Sequence, residues 1–413
     1  MEIRDFISDN GLRVVLIKTN KFKTIELNLF LSDRLDYKSV TTLNLLAILM
    51  KSASKNHPSV KEFSTFLKEN YRIMIGASLT NLGETNTVNF KVRGLNAKFL
   101  ENENINEKLF YILDEMVNNP LIEDGKFKDS YYDEQLRIYK ETLEASRDYK
   151  EKVTIQKVND IMGKDTPYGV FKDGDLRDLE NLKNEDVVNE YQKLINRDAC
   201  LYVIGDIEEN EIQEYLSKYL KMSSKRSELS LLYKAEMEDK GAHQEQASFT
   251  QSSICLVYNF PIYKGDELSN AAKIYASMFN HYLFKIVREK HNFCYSIFAR
   301  YDAYLGVINV YSNIESKNYD KTLELIDEII EDLKNTEAHD VVEMTKGKIV
   351  NSYHKISDLY SSYVELHYYE RLLGNEFDID NITKEINEVT IEQVREVATK
   401  ISRKLSFILK EKS

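Results

Sequence analysis

Alternating apolar and polar positions predict β-strands in both halves of the chain. The alternating runs are 11–19, 24–32, 72–81, 85–94 and 199–206 in the first half, and 253–261, 294–303, 304–315 and 404–411 in the second. Runs of this length, whose side chains face two sides in turn, are typical of half-buried strands. We expect the strands 11–19 and 24–32 to pair with each other across the short charged turn between them.

Apolar positions spaced three or four residues apart predict helices between these strands. The helical segments are 39–54, 57–71, 104–118, 123–162 and 184–195 in the first half, and 267–290, 318–335, 340–373 and 390–402 in the second. This spacing places apolar side chains on one face of a helix. The segment 39–54 is apolar on nearly every side, so we expect it to be buried all round. Ser59 is placed to cap the helix that follows.

The two halves repeat one order of elements: strand, helix, hairpin, helix, long helical stretch, helix and strand. Gly83 and Gly306 hold the same place in this order, each between the two strands of a predicted hairpin. A repeat as long as half the chain indicates a duplicated domain. We therefore predict an α+β fold with homologous domains at 1–220 and 247–413 and a polar linker at 221–246. Each domain would be a mostly antiparallel sheet packed with helices.

Composition and charge narrow the range of partners. The chain has 413 residues and a formal net charge of −12, which argues against nucleic acid or an anionic membrane, because those partners select an excess of Lys and Arg. No run reaches the length of about 18 apolar residues that a membrane-spanning helix needs. The N-terminus lacks the apolar stretch of a secretory signal. Three widely spaced cysteines, Cys200, Cys255 and Cys294, suit a reducing compartment, so we expect a cytoplasmic protein.

One segment, VREKHNFCYS (287–296), combines a charged and an aromatic residue at a predicted junction. Arg288 lies where a helix is expected to end, and Tyr295 lies where a strand is expected to begin. A structural interpretation is open for both, in which Arg288 caps the helix C-terminus and Tyr295 packs on the strand. The neighbouring Cys294 is expected to be a buried core residue rather than a reactive thiol.

The sequence shows neither a metal-ligand cluster nor a familiar nucleophile motif. None of the seven histidines lies three or four residues from another, and GxSxG is absent. His367 and Glu370 would share one face of a predicted helix, but two ligands are one short of a working zinc site. His354, earlier on the same helix, does not complete the set. We predict that this chain binds no metal and contains no catalytic residue of its own.

The duplicated order of elements and the VREK…Y segment resemble the M16 family of zinc peptidases, which includes mitochondrial processing peptidase, pitrilysin and insulin-degrading enzyme. The runs LFKIVREKHNFCYSIFARYDAYLGVINVYSNIE (283–315) and NKFKTIELNLFLS (20–32) are similar to a bacterial subgroup called YfmF-like, associated with 5-aminopentanol modification of elongation factor P. The resemblance implies a LuxS/M16 metallohydrolase-like fold for each half and a clam-shell arrangement of the two.

The sequence departs from the family at the zinc motif. Active members carry HxxEH on the first helix of the N-terminal half, where two histidines bind zinc and the glutamate activates water. At the matching places this chain has Leu43, Leu46 and Ala47, whose side chains neither coordinate a metal nor move a proton. The third family ligand, a glutamate, would fall near Glu141 or Glu144. We expect both to lie on the solvated face of a charged helix.

The resemblance also implies a role for Arg288 and Tyr295. In active members an arginine and a tyrosine at this spacing reach the substrate, where a guanidinium holds a carbonyl or carboxylate and a phenolic hydroxyl stabilises the developing oxyanion. This chain is therefore expected to be the zinc-free subunit of a heterodimer. A zinc-bearing M16 paralogue would supply the only metal, and Arg288 and Tyr295 would bind a peptide or small-protein substrate.

Other functions remain open at the level of sequence. One alternative is a non-catalytic scaffold that binds peptides or proteins. Another is a structural subunit like the core subunits of respiratory complex III. For the partner, the alternative to a paralogue is a second copy of this chain. Substitution of Arg288 or Tyr295 distinguishes the first model from the others, because only that model requires the pair for peptide cleavage.

Overall fold

The computed structural model describes residues 1–100, 104–225 and 227–412. They form two compact units: unit 1 comprises Met1–Ala145 and Phe171–Ser230, and unit 2 comprises Ser146–Val170 and Leu231–Ser413. The segment 146–170, which the sequence prediction assigned to the domain 1–220, is thus part of unit 2. Its amphipathic pattern predicts a helix but does not tell which sheet the apolar face covers.

In its described part, unit 1 has a six-stranded sheet in the order β1-β2-β8-β3-β5-β4. The strands are β1 (Glu2–Ile7), β2 (Arg13–Lys18), β3 (Thr24–Arg34), β4 (Met74–Leu82), β5 (Thr85–Leu95) and β8 (Asp198–Gly205). Two short strands, β6 (Ile122–Glu123) and β7 (Lys126–Phe127), pair separately. Only β2 and β8 run parallel, so the sheet is mostly antiparallel, as predicted.

The helices of unit 1 enclose an aliphatic and aromatic core on one face of this sheet. They are α1 (Val40–Ser52), α2 (Val60–Glu69), α3 (Ile105–Val117), α4 (Asp129–Ala145), α6 (Asn184–Leu194) and α7 (Glu209–Lys218). Ser59 caps α2 as predicted, since its side chain accepts a hydrogen bond from the backbone N–H of Glu62. Eight of the thirteen residues of α1 are buried and the other five are half-buried, so α1 is enclosed on most sides rather than all round as predicted.

In its described part, unit 2 has a five-stranded sheet in the order β11-β12-β10-β13-β9. The strands are β9 (Gly241–Ala247), β10 (Ser252–Asn259), β11 (Cys294–Asp302), β12 (Val307–Ile314) and β13 (Ser402–Glu411). The helices are α5 (Lys150–Met162), α8 (Ser269–Tyr282), α9 (Tyr319–Lys334), α10 (His339–Ile356), α11 (Tyr360–Leu372), α12 (Ile379–Glu388) and α13 (Ile391–Ala398). One face of the sheet packs on α8, α9 and α13, and the other packs on α5.

The strand order confirms that the chain consists of two homologous halves. In each sheet a central strand, β3 or β10, lies between the second strand of a hairpin and a late strand that runs antiparallel to it. In each, the late strand, β8 or β13, then pairs in parallel with the next strand, β2 or β9. Gly83 and Gly306 adopt positive φ at the two equivalent hairpin turns, where glycine meets no steric penalty.

Several predicted elements differ from the structure. The strands 11–19 and 24–32 do not pair with each other, because β8 lies between them and pairs with both. The predicted helix 123–162 is interrupted: a turn at Asp124 and Gly125, both with positive φ, joins β6 to β7, and α4 and α5 are separate helices. The last residues of the predicted linker 221–246 belong to β9, whose polar sequence resembles a loop.

Candidate functional site

Arg288 lies in the last turn of a continuous helical segment. Helix α8 passes directly into a π-helical stretch, Leu283–Lys290, which ends at His291. Asn292 then adopts a positive φ of 53°, a region in which asparagine is tolerated better than most residues. This geometry lets the N–H of Asn292 donate to the carbonyl of Arg288 at 3.0 Å, and the N–H of Phe293 to that of Val287 at 3.1 Å. The chain therefore turns sharply from helix to strand.

Tyr295 lies at an irregularity in the strand that follows. Cys294 pairs with Ile314 and Ile297 pairs with Ser312, so β11 has one residue more than β12 over this stretch. Such a bulge redirects the side chains beside it. The side chain of Tyr295 is 84% exposed, so it does not pack on the sheet as the structural interpretation required.

The structure brings Arg288 and Tyr295 together and adds a third residue. The Cζ atom of Arg288 lies 5.6 Å from the centroid of the Tyr295 ring and 4.4 Å from that of Phe284. Both distances are typical of cation–π contacts, which orient a guanidinium while leaving its in-plane N–H groups accessible. Phe284 was not singled out in the sequence, although its spacing of one helical turn before Arg288 was a usable signal. We call these three residues the aromatic–arginine clamp.

Cys294, next to Tyr295, is buried among the apolar residues of unit 2, as predicted. Burial raises the pKa of its thiol, and the smaller effects of a hydrogen bond with Ser312 and the charge of Arg288 oppose this. A buried thiol of raised pKa is a poor nucleophile at neutral pH. Cys294 therefore contributes to the core rather than to chemistry at the clamp.

Among the described residues of unit 1, the clamp has no counterpart. Helix α2 ends with the same hydrogen bonds as the segment before β11: the N–H of Arg72 donates to the carbonyl of Lys68 at 3.3 Å, and the N–H of Ile73 to that of Leu67 at 3.1 Å. By this match Lys68 corresponds to Arg288. Two residues after Ile73, Ile75 corresponds to Tyr295. The arginine and tyrosine thus belong to the second half alone.

The positions matched to the zinc motif do not fit a metal. Leu43 and Leu46 are fully buried in the core of unit 1, and Ala47 is 5% exposed. Hydrocarbon side chains offer no electron pair to zinc. Glu141 and Glu144 are exposed on α4, and Glu141 forms an ion pair with Arg137 at 2.7 Å, which agrees with the solvated face that was predicted.

His367 and Glu370 do not converge on a shared site. Glu370 is buried, where it forms an ion pair with Lys264 and accepts a hydrogen bond from Asn375 at 3.1 Å. The ring of His367 instead lies among aromatic rings, 6.4 Å from Tyr363 between centroids. Within the described residues there is no group of three or more His, Cys, Asp or Glu side chains placed to hold a metal ion.

Comparison with known proteins gives these features a context. Residues 181–346, which include the clamp, match the family described as Peptidase M16 inactive domain. The chain is similar to M16 peptidase-like proteins. It is 27% identical over 410 residues to the probable inactive metalloprotease YmfF of Bacillus subtilis strain 168, a match that covers 97% of this chain and 96% of that protein. The name of this relative, YmfF, corrects the subgroup name YfmF-like that was given from the sequence.

Two solved structures share the fold of this M16-like chain. A conserved protein from Enterococcus faecalis V583 superposes with a TM-score of 0.92 at 23% identity, covering 100% of this chain and 99% of the other. A peptidase M16 inactive domain from Pseudomonas fluorescens superposes with a TM-score of 0.79 at 13% identity, covering 100% and 98%. At these identities the likeness establishes the fold and nothing finer.

None of the helices in the described part of this M16-like chain has the length and apolar character needed to cross a bilayer.

Proposed function

We propose that this chain is the zinc-free subunit of a two-chain M16-type peptidase and that Arg288 and Tyr295 bind the peptide substrate. The partner is a zinc-bearing M16 paralogue, and the complex works in the cytoplasm. The observation that carries this proposal is the aromatic–arginine clamp: an oriented guanidinium beside a highly exposed phenol in the half that matches the inactive-domain family.

The chemistry of the clamp suits peptide binding next to a reactive centre. Attack of water on a peptide carbonyl places negative charge on its oxygen, and a preplaced phenolic O–H donates a hydrogen bond to that oxygen. The guanidinium of Arg288 is charged at every working pH and binds a carbonyl or carboxylate through two parallel N–H groups. Neither group generates a nucleophile, so both act on a peptide that another chain attacks.

The core around α1 supports a division of labour between two chains. Leu43 and Leu46 pack tightly where active relatives of the fold would place ligands, so unit 1 is stable without an ion. Any hydrolysis by the complex then takes its zinc and its water from the partner. The bacterial subgroup that the sequence resembles is associated with modification of elongation factor P, and this modification is one cellular process in which such a complex would act. A small protein as substrate agrees with that setting.

Kinetic measurements on the complex test the proposal. The chain is purified from its native host together with whatever M16 protein it binds, and cleavage of a quenched-fluorescent peptide library is followed. Tyr295→Phe is expected to lower kcat/KM by about 10²-fold, the cost of one oxyanion donor. Arg288→Ala is expected to lower kcat/KM about tenfold or more through loss of a charge-assisted contact.

Tyr149→Phe is the matched control, because Tyr149 is another exposed tyrosine of unit 2, at 66% exposure. It should leave cleavage unchanged. If the complex cleaves peptides equally well after both clamp substitutions, the trans-site proposal is wrong. A complex that binds peptides but never cleaves them would instead support the non-catalytic scaffold.

A further inference from the structure

Strand β1 forms one edge of the unit 1 sheet. Among the described residues it pairs with β2 alone, in a continuous antiparallel register. The next pair along, Ser8 and Leu12, is hydrogen-bonded, since the N–H of Ser8 donates to the carbonyl of Leu12 at 2.8 Å. Hydrogen-bonded and non-hydrogen-bonded pairs alternate along an antiparallel ladder. Counted back from Ser8, Ile3 falls in a non-hydrogen-bonded pair, so its N–H and carbonyl point away from β2, toward the open side of the strand.

The side chains of β1 leave apolar surface exposed beside a buried part of the same sheet. Ile3 is 41% exposed and Ile7 is 55% exposed, whereas Ile17, which lies opposite Ile3 on β2, is fully buried. An edge strand that combines outward-pointing backbone groups with exposed isoleucines is a surface to which another strand adds.

The charged residues on either side of Ile3 are opposite in sign. Arg4 forms ion pairs with Glu2 of its own strand at 2.7 Å and with Glu209 of α7 at 3.8 Å. The side chains of Arg4 and Glu2 are 43% and 56% exposed, and an ion pair this exposed contributes little to stability, so exchanging its partners costs little. The segment Glu2-Ile3-Arg4 is self-complementary: when a second copy runs antiparallel with the two Ile3 residues opposite each other, Glu2 of each copy faces Arg4 of the other.

Only the register centred on Ile3 brings opposite charges together across the two strands. Outward-pointing groups must lie opposite each other, which also allows registers centred on Arg4, Asp5 or Phe6. Centred on Arg4 or on Asp5, two like charges lie directly opposite, which is destabilising, and centred on Phe6, Asp5 faces an isoleucine. Centred on Ile3, the two Glu2–Arg4 pairs take non-hydrogen-bonded positions, where side chains on neighbouring strands are closest. Charges on an edge strand prevent pairing where like charges meet, but in this register they favour it.

We infer that β1 is a self-association surface, to which a second copy of this chain adds its own β1 in antiparallel orientation, centred on Ile3. The unit 1 sheets of the two copies then form one continuous sheet. The overlap is short and buries less than the roughly 1,200–2,000 Å² of stable interfaces, so the dimer is weak and forms as the concentration rises. The surface belongs to unit 1 and the clamp to unit 2, so the inference goes beyond the proposed function.

Sedimentation velocity of the full-length chain, from about 1 µM to about 200 µM, tests the inference. The unchanged chain is expected to shift from monomer toward dimer over this range, and added salt should weaken the dimer. Glu2→Arg places four arginines around the symmetry axis of the dimer, and Arg4→Glu places four glutamates there. Each variant alone should therefore dimerise at least about tenfold more weakly than the unchanged chain.

An equimolar mixture of Glu2→Arg and Arg4→Glu is the most specific measurement. In the mixed dimer every cross-strand charge pair again joins opposite signs, so the mixture should dimerise about as tightly as the unchanged chain, although neither variant does so alone. A fluorescent label on one variant identifies the mixed species. A role of the Glu2–Arg4 ion pair within one chain does not produce this rescue, because both chains of the mixture lack that pair.

Glu69→Arg is the matched control, because it reverses the same charge at an exposed position of α2 and should leave the dimer unchanged. Ile3→Pro removes the outward N–H while the hydrogen bonds to β2 remain, so it should abolish the dimer and keep the fold, which circular dichroism checks. A chain that stays monomeric over the whole concentration range would overturn the inference. A dimer that persists in both charge variants and in Ile3→Pro would place the contact elsewhere, and a mixture that stays monomeric would exclude this register; either result makes the inference wrong.

Discussion

At the scale of single residues, the site depends on how one guanidinium is held. The sequence already placed Arg288 and Tyr295 on either side of a helix–strand junction, and the structure brings them into contact. The contact of Phe284 with Arg288 was not predicted, because in the sequence Phe284 is one more apolar residue of the run YLFKIV. A hydrophobic pattern separates buried from exposed positions, but it does not distinguish a ring that fills a core from a ring that stacks on a cation.

Phe284→Leu tests the contribution of that ring. An exposed cation–π contact is worth about 0.5–1 kcal/mol, so the affinity of the chain for a short peptide should fall about two- to fivefold, while the fold is retained. Isothermal titration measures the affinity, and circular dichroism checks the fold. Phe99→Leu is the control, because Phe99 is an exposed phenylalanine of unit 1 that also lies near lysine side chains. An unchanged affinity in Phe284→Leu would show that Arg288 is oriented without it.

A second residue-scale feature lies away from the clamp, at Lys273 on α8. Burial, with added repulsion from Lys264, lowers the pKa of Lys273 to about 8, and the charges of Glu370 and Glu385 oppose this. Its Nζ donates to Asn270 at 2.8 Å and to Tyr353 at 3.4 Å, and the buried carboxylate of Glu370 is paired with Lys264. The amine is thus held by neutral acceptors.

The lowered pKa of Lys273 has a predictable effect on stability. Between about pH 8 and the ordinary lysine value near 10.5, the unfolded chain binds the proton that the folded chain has lost, so the contribution of Lys273 to stability rises with pH in this window. Lys273→Met should remove this contribution, a difference on the order of 1 kcal/mol between pH 8 and 9.5; tyrosines also begin to titrate near the upper end of this range, but they do so equally in both proteins. Urea unfolding at several pH values measures it. Parallel pH profiles for both proteins would contradict the lowered pKa.

At the scale of elements, the positions of helices were easier to predict than the pairing of strands. The amphipathic or apolar patterns of α1, α2, α3 and α9 are local, and these helices lie where the spacing placed them. Partnership depends on long-range geometry: β8 arrives from far along the chain and separates β2 from β3. The strand β9 was taken for linker because nearly all its side chains are exposed, and only its backbone pairing with β13 makes it a strand.

Helix α1 gives the sharpest prediction at this scale. Leu43→His, Leu46→Glu and Ala47→His together rebuild the family's zinc motif inside an apolar core. Burial of these polar groups should lower the free energy of unfolding by several kcal/mol, roughly 3 or more, in the presence of a chelator. The volume-conserving pair Leu43→Met and Leu46→Met should cost less than about 1.5 kcal/mol for each change. Chemical denaturation compares the two sets. Equal stability of the triple variant and the parent would show that these positions are not packed as described.

At the scale of the whole molecule, the duplication is readable from the sequence alone. The repeated order of elements and the two hairpin glycines predicted it, and the matching strand orders of the two sheets confirm it. What the repeat did not predict is that α5 packs with the second sheet. The two halves have also diverged in chemistry, since the arginine and tyrosine of the second half correspond to Lys68 and Ile75 in the first.

The proposed function requires that Tyr295 touches a peptide in a site completed by another chain. Replacement of Tyr295 by the photoreactive residue p-benzoylphenylalanine in the native host, followed by irradiation and mass spectrometry, tests it directly. We expect crosslinks both to a bound peptide and to a zinc-bearing M16 protein, with neither formed when the same residue replaces Tyr149. Crosslinks from position 295 only to this chain's own helices, or no crosslink at all, would contradict it.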